Sequence, residues 1–426
     1  MALTYNRREI AQGVFLTQIY DEKFKPNNIT VKFITSPDEK KLAANILVPT
    51  MLITSNSRIR SRTELSKKLM GLYGTSLSST WSTLGDHQSV GFSTSPIGDK
   101  YTIGGEKIST EVVGVLLDCI FSPDITDGRF NEKYFELRKQ ELIDNISAIV
   151  NNKRSYAYTR AKELAFTGEP SGVTELAARP YAQKLTHEQV IDRYRYLLKS
   201  AVIEITVCGG GEIDEAVEML TQAFSKLERE NVEQIVYRRN SPVKDTPAYA
   251  EELMSVKQSK MFMSYKSDYE DIYVCKLFAM MLGNTPFSKL YLNVREKMSL
   301  CYYCSALYLD MKGTLMIDSG VETADLERAK AAIEEQLSAL ARGEFTDEEL
   351  ENTKLYLCGS FRSNYDSEWD TAGWYAAQNT RGTCYSPDEV GEIIRCISRE
   401  QIIECASSFR ADSVFVLKAN GEAEDE

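Results

Sequence analysis

The chain has 426 residues, 43% hydrophobic and 26% charged, with a formal net charge of −12 and a pI near 5.1. That length suits two domains of about 200 residues better than one core, the composition excludes a disordered or fibrous protein, and the negative balance disfavours a nucleic-acid backbone as partner. The opening residues lack the apolar run of a secretion signal and no stretch reaches the roughly 18 apolar residues of a membrane span, so a cytoplasmic protein with peptide or protein partners, and with neither nucleic acid nor membrane, is expected.

Gly13 to Tyr20 and Asn28 to Ile34 alternate apolar and polar residues, which predicts a half-buried antiparallel pair of strands. Ser36-Pro37-Asp38-Glu39 then supplies an N-cap serine, a proline at the first helical position and a glutamate three residues after the cap, predicting a helix through AANILVPTML. The basic run Arg58 to Arg62 reads as a solvated loop, with docking to an acidic partner as the lesser alternative. Ser61 and Glu64 open a helix that ends at Gly74, Thr75 to Ser95 is strand-like, and helices dominate from about Thr110 to Leu198. Gly209-Gly210-Gly211 follows a strand but lacks G-x-G-x-x-G spacing, so it reads as a tight turn and not a phosphate cradle.

Arg229 to Glu252 is polar and proline-bearing, the pattern of a surface linker, and divides the chain into domains at 1–228 and 253–426. Beyond it, Lys260 to Tyr265 reads as strand, Ile272 to Leu282 as helix, and Leu300 to Leu309 and Gly313 to Gly320 as strands. A helix from about Thr323 places Leu326, Ala329, Ile333, Leu337 and Leu340 on one face, a core-packing stripe. Nine cysteines without a secretion signal point to reduced thiols. Cys301 and Cys304 have CxxC spacing, but no second CxxC completes a metal site and the alternating run around them reads as strand packing. The final GEAEDE is expected to fray.

Two segments, Leu185 to Gly210 and Ile397 to Gly421, overlay without a gap through Glu188/Glu400, Gln189/Gln401, Ile191/Ile403, Val202/Val414 and Gly209/Gly421. Each reads as a helix capped by Thr186 or Ser398, a short break, an apolar strand and a glycine turn. The fold class expected is therefore α+β: two tandem homologous domains, each an antiparallel sheet packed with several helices.

The run LGNTPFSKLYLNVREKMSLCY, from Leu282 through Arg295 to Tyr302, resembles the second-domain motif of the pitrilysin/insulinase-type zinc peptidases, where a glycine turn leads to R-E-K-x-x-L-x-Y. The resemblance extends over most of the chain and, within the family, looks like the YfmF-like branch associated with aminopentanol modification of a translation elongation factor. It implies that Arg295, late in a helix, and Tyr302, at the start of the next strand, bind a substrate. Chemically, a guanidinium fork and a phenol can hold a peptide carbonyl and support its oxyanion. The alternative is an Arg295 bridged to a neighbouring carboxylate such as Glu296, with Tyr302 an ordinary sheet residue.

Active members of that family carry H-x-x-E-H on a first-domain helix, two histidines to bind zinc and a glutamate to activate water. This chain has two histidines in all, His87 and His187, and neither stands in such an arrangement. The overlay implied by the resemblance places Ile46 and Thr50 at the histidine positions, Pro49 at the glutamate and Asn145 at the third ligand, with Glu141 and Asp144 close by in sequence. No metal or other cofactor, and no catalysis by the chain alone, is expected. His87, in LGDHQS, reads as a surface turn residue and His187 as a residue of a first helical turn; no serine or cysteine has a paired base. The favoured function is a zinc-free subunit that supplies Arg295 and Tyr302 to a site whose zinc comes from an H-x-x-E-H partner. A homodimeric peptide-binding or scaffold protein is the alternative, and a self-sufficient metallopeptidase lacks its ligands.

Overall fold

The computed structural model describes residues 3–211 and 213–420, so the expected fraying of GEAEDE and the repeat position Gly421 lie outside the described residues. Two compact units form, and neither is continuous in sequence. The first comprises the chain up to Ser147, Val173–Tyr237 and Tyr365–Gly382; the second comprises Ala148–Gly172, Arg238–Asn364 and the chain from Thr383.

In the first unit the strands are Thr4–Ala11 (β1), Val14–Tyr20 (β2), Asn27–Thr35 (β3), Leu77–Leu84 (β4) and His87–Thr94 (β5). A short ribbon of Ile125–Thr126 (β6) and Arg129–Phe130 (β7) precedes Val202–Gly209 (β8). The sheet order is β1-β2-β8-β3-β5-β4. The segments around β2 and β3, expected to pair with each other, are separated by β8, which runs parallel to β2 and antiparallel to β3. Alternation identifies a strand but not its neighbour. β3 is also buried along nearly all its length, not half-buried, so both faces of the sheet are covered there.

In the second unit Ala248–Met254 (β9), Ser259–Lys266 (β10), Tyr303–Leu309 (β11), Thr314–Val321 (β12) and Arg410–Ala419 (β13) form a sheet in the order β11-β12-β10-β13-β9. β9 occupies the end of the stretch read as linker, so that reading is corrected: its residues join the sheet beside β13, in parallel. Both sheets are antiparallel, as expected, but for one parallel pair in each, β2 with β8 and β9 with β13. That matched exception fits the internal duplication. The repeat also holds at its helix starts, where Thr186 with Gln189 and Ser398 with Gln401 each form a full capping box.

The helix expected after Ser36 spans Glu39–Leu52, but Asp38 caps it, accepting from the Lys40 N–H at 2.9 Å. Ser36 is drawn elsewhere, bonding Glu233 through its N–H and its hydroxyl, each at 2.8 Å. Ser61 does cap its helix, Arg62–Gly71, which stops where Tyr73 and Gly74 turn left-handed at φ 57° and 70°.

Each half of the chain sends a helix to the other unit. Lys153–Ala165 lies on the second sheet, where Ala157, Ala161 and Ala165 form a flat helix face that packs with Phe262, Met316, Phe415 and Leu417. Glu368–Asn379 lies on the first sheet, with Ala372 and Tyr375 against Ile19 and Cys208. The change of unit at Tyr237/Arg238 falls within the 229–252 stretch, but these two helices break the simple two-block division. No helix among the described residues is long and apolar enough to cross a membrane.

The first of these helices ends in a buried charge cluster. Lys266, 1% exposed, sits 3.0 Å from Asp412 and donates to the Ala165 carbonyl at 2.7 Å. Lys244 bonds the same two groups, each at 2.8 Å, and Lys312 pairs with Glu169 at 3.0 Å. Cations suit the carbonyl end of a helix, and burial holds the Lys266 ammonium below its usual pKa. Asp412→Ala leaves Lys266 buried without its closest counter-charge and is expected to destabilise the fold by about 3–5 kcal/mol, read as a lower denaturant midpoint; a midpoint equal to wild type contradicts this.

Candidate functional site

Arg295 lies in Leu290–Lys297, a π-helical turn in which the Met298 N–H reaches back to the Asn293 carbonyl at 3.0 Å. The turn ends at Ser299, whose φ of 52° lies in the left-handed region, and the chain then redirects toward β11. Single π turns of this kind recur at functional positions. Within it, the Arg295 guanidinium lies 4.7 Å above the Tyr291 ring, and its Nε is 3.6 Å from Glu296 Oε1. The bridge to Glu296 weighed from the sequence is thus present, with the side chain still 39% exposed.

Tyr302 stands one residue before β11 and is 60% exposed. Its N–H donates to the Gly320 carbonyl at 3.0 Å, and its phenol donates to Glu322 Oε1 at 2.9 Å. Because that bond favours the neutral phenol, it raises the Tyr302 pKa. To donate to a substrate oxygen, the phenol must exchange Glu322 for that oxygen. Neither Glu322 nor Tyr291 was singled out from the sequence. Tyr291 was accessible as the residue four before Arg295 on one helical turn. Glu322 required the pairing of Tyr303 with Gly320, which brings the end of β12 beside Tyr302.

Cys301 and Cys304, on either side of Tyr302, are both buried and unbridged, and Cys304 lies within β11. The two thiols influence each other: the Cys301 pKa is lowered by its neighbour, and the Cys304 pKa is raised by Cys301 and by burial.

On the first unit, Ile46, Pro49 and Thr50 share the helix Glu39–Leu52; Pro49 is buried, and Thr50 Oγ1 is 3.1 Å from Ser79 Oγ. The helix continues through Pro49. The Thr50 hydroxyl bonds the Ile46 carbonyl at 3.4 Å and the Thr54 hydroxyl bonds the Thr50 carbonyl at 2.8 Å. Asn145 is exposed on Glu132–Ala148, where Glu141 pairs with Arg138 at 2.6 Å and Asp144 accepts from Gln140 at 2.8 Å. An isoleucine, a proline and a threonine offer neither an imidazole ligand nor a carboxylate base. Among the described residues no group of three or more His, Cys, Asp or Glu is placed to hold a metal ion.

His87 corrects the surface-turn expectation: it opens β5, is 8% exposed, and bonds the Val236 carbonyl through Nε2 at 3.1 Å, with Tyr237 edge-on to its ring. The turn composition of LGDHQS marked the bend but not the later chain that covers it. His187 begins His187–Ser200, stacked on Phe135 with ring centroids 3.8 Å apart. Its Nδ1 accepts from the Phe130 N–H at 3.2 Å, so the proton belongs on Nε2, which faces Glu132 at 3.2 Å. Gly209 ends β8 and Gly210 follows in a bend, and side chains are excluded at both: a Cβ would lie 2.0 Å from Asn27 Oδ1 at the first and 2.3 Å from the Asp21 carbonyl at the second. In the basic run, Arg58 pairs with Asp118 at 3.0 Å and Arg60 approaches Asp124 at 3.9 Å, both arginines solvent-exposed.

Residues 184–357 match the protein family described as Peptidase M16 inactive domain. Over 401 residues the chain is 23% identical to the "Probable inactive metalloprotease YmfF" of Bacillus subtilis (strain 168), covering 93% of this chain and 94% of that protein. A conserved protein from Enterococcus faecalis V583 has the same fold with a TM-score of 0.88, at 24% identity and covering 99% of this chain and 100% of that one. A structure described as a protease from Helicobacter pylori matches with a TM-score of 0.80, at 14% identity, over 97% of this chain and 99% of that one.

Replacing the charged acceptor tests the electrostatics around Tyr302. In Glu322→Gln the phenol loses its anionic partner, so Tyr302 is expected to ionise at lower pH than in the wild type, as followed by NMR of labelled tyrosine. An unchanged or higher ionisation point contradicts the Glu322 contact.

Proposed function

We propose that this non-catalytic homologue of the M16 peptidases serves as the zinc-free subunit of a two-chain peptidase, acting in the cytoplasm on extended peptides. Arg295 and Tyr302 hold the substrate carbonyl at a site whose H-x-x-E-H helix belongs to the partner. The observation that carries this reading is a contrast within one chain. Arg295 and Tyr302 stay exposed on either side of the Ser299 turn, whereas the positions matched to the zinc helix carry Ile46, Pro49 and Thr50.

The division is chemically sound. Metal and general base must share one rigid element, while carbonyl-binding groups can come from another chain if they are positioned in advance. When bound in the partner, zinc supplies Lewis-acid polarisation and an activated water. Arg295 contributes a permanent positive charge, and its stacking on Tyr291 limits the orientations of its donor fork. Tyr302 contributes an O–H that Glu322 keeps protonated and that is released to the oxyanion as negative charge develops there.

The Glu296 and Glu322 contacts favour a second reading, in which Arg295 and Tyr302 are satisfied without a substrate oxyanion and the chain is a homodimeric peptide-binding scaffold. Arg295→Ala separates the two. In the reconstituted complex it is expected to lower kcat by roughly 100- to 1000-fold, the effect of losing one oxyanion donor; unchanged peptidase activity contradicts the composite site and supports the scaffold. Elemental analysis of the purified chain is expected to find zinc well below stoichiometry, and stoichiometric zinc lost to a chelator together with activity would contradict the zinc-free assignment.

A further inference from the structure

The two sheets share one order of strands. β2-β8-β3-β5-β4 in the first unit corresponds to β9-β13-β10-β12-β11 in the second, each opening on its parallel pair and antiparallel thereafter. The first sheet carries one strand more, since β1 lies antiparallel along the outer side of β2. The second sheet has no counterpart of β1 among the described residues, so β9 forms its edge.

The Asn420 N–H donates to the Met254 carbonyl at 3.2 Å, continuing the ladder between β13 and β9. Met254 therefore turns its backbone polar groups toward β13. With the strand's period of two, Ala250 and Glu252 do the same, and Tyr249, Glu251 and Leu253 turn their N–H and C=O groups outward. Among the described residues no backbone bond reaches these three from outside the ladder. The side chains follow the same division. Ala250 and Met254 pack toward the helix Lys153–Ala165, and Glu252 bonds its Tyr156 and Arg160, each at 2.7 Å. On the opposite face Tyr249 and Leu253 are 59% and 69% exposed, with Glu251 between them.

We infer that the free edge of β9 takes up an extended segment of a partner polypeptide as an added antiparallel strand, as β1 is added to β2. Such an edge supplies affinity through its unpaired main-chain groups, while alternate side chains select the sequence. Opposite Tyr249, Glu251 and Leu253 the segment carries an apolar, a basic and an apolar residue, because apolar and opposite-charge cross-strand pairs stabilise a sheet. Glu251 has capacity for that cation: one oxygen accepts the Tyr249 phenol at 2.7 Å, and the other has only Lys418, 3.7 Å away. A second copy of the chain fits less well. Matching Tyr249 to Leu253 between two antiparallel β9 strands sets Glu251 against Glu251, a like-charge pair. The chain's own final residues, GEAEDE, bear no cation. The inference is independent of the role given to Arg295 and Tyr302.

The test titrates the full chain into a fluorescein-labelled peptide of sequence TVTKTVT and follows anisotropy. Binding is expected, about fivefold tighter than for the same peptide with glutamate in place of lysine, the effect of one cross-strand charge pair. Methylating the valine and lysine nitrogens, which face β9, should weaken binding about tenfold or more, and methylating the threonine nitrogens should not. Glu251→Lys should reverse the charge preference. Glu251→Pro deletes an outward N–H and leaves the β13 ladder intact; it should weaken binding about tenfold while unfolding at the wild-type temperature. Absence of binding, equal loss on methylating either set of nitrogens, or a charge preference unchanged in Glu251→Lys would each overturn the proposal. So would a wild-type dimer that Glu251→Pro dissociates, which would give the edge to a second copy.

Discussion

The contact on which the second unit most depends is the buried pair of Lys266 and Asp412, closed over the carbonyl of Ala165. Removing two charges from water costs several kcal/mol each, and only excellent geometry with further hydrogen bonds offsets it. Here Lys244 and the Ala165 and Pro242 carbonyls complete that geometry. The result joins three distant parts of the sequence: the helix contributed by the first half, β10 and the start of β13. Fixing β10 also fixes β12 beside it, and β12 supplies the Gly320 carbonyl that receives Tyr302 and leads into Glu322. Charge burial at one end of the sheet thus bears on the placement of the exposed phenol at the other.

Much of the local structure was legible in the chain because its signals act over a few residues. The Ser61, Thr186 and Ser398 caps, the apolar stripe on Leu326–Ala341 and the repeat around β8 and β13 all follow from side chains meeting their own near neighbours. Strand order was not legible, because β8 enters between β2 and β3 from far along the sequence. β1 and β9 escaped notice for a related reason. Both are edge strands with alternately exposed residues, rich in charge or alanine, so neither carries the apolar alternation of a buried strand. The exchange of helices between halves has no local signature either. Its chemistry, a buried lysine meeting a buried aspartate, emerges only when the strands are in place.

At the candidate site, the spacing of Arg295 and Tyr302 could be read directly, and so could the unsuitability of Ile46, Pro49 and Thr50 as ligands. The carboxylates facing the first two were less visible. Glu296 is adjacent in sequence and was weighed, whereas Glu322 reaches Tyr302 through a hairpin. Asp38 displaced Ser36 as a cap because Glu233, far along the chain, offered Ser36 two hydrogen bonds. His87 is buried for the same kind of reason, covered by Val236 and Tyr237 from a segment that reads as linker. In each case the residue type fixed what the group can do, and a remote segment fixed what it does.

The central claim is a division of labour: substrate-gripping groups on this chain, zinc and general base on another. Isolation from the native organism under gentle conditions, with mass spectrometry of whatever co-purifies at fixed stoichiometry, addresses it most directly. The account expects a second chain of similar size bearing H-x-x-E-H, with zinc present in the complex and peptidase activity lost when the two are separated. Recovery of a homodimer alone, with no zinc-bearing companion, would contradict it.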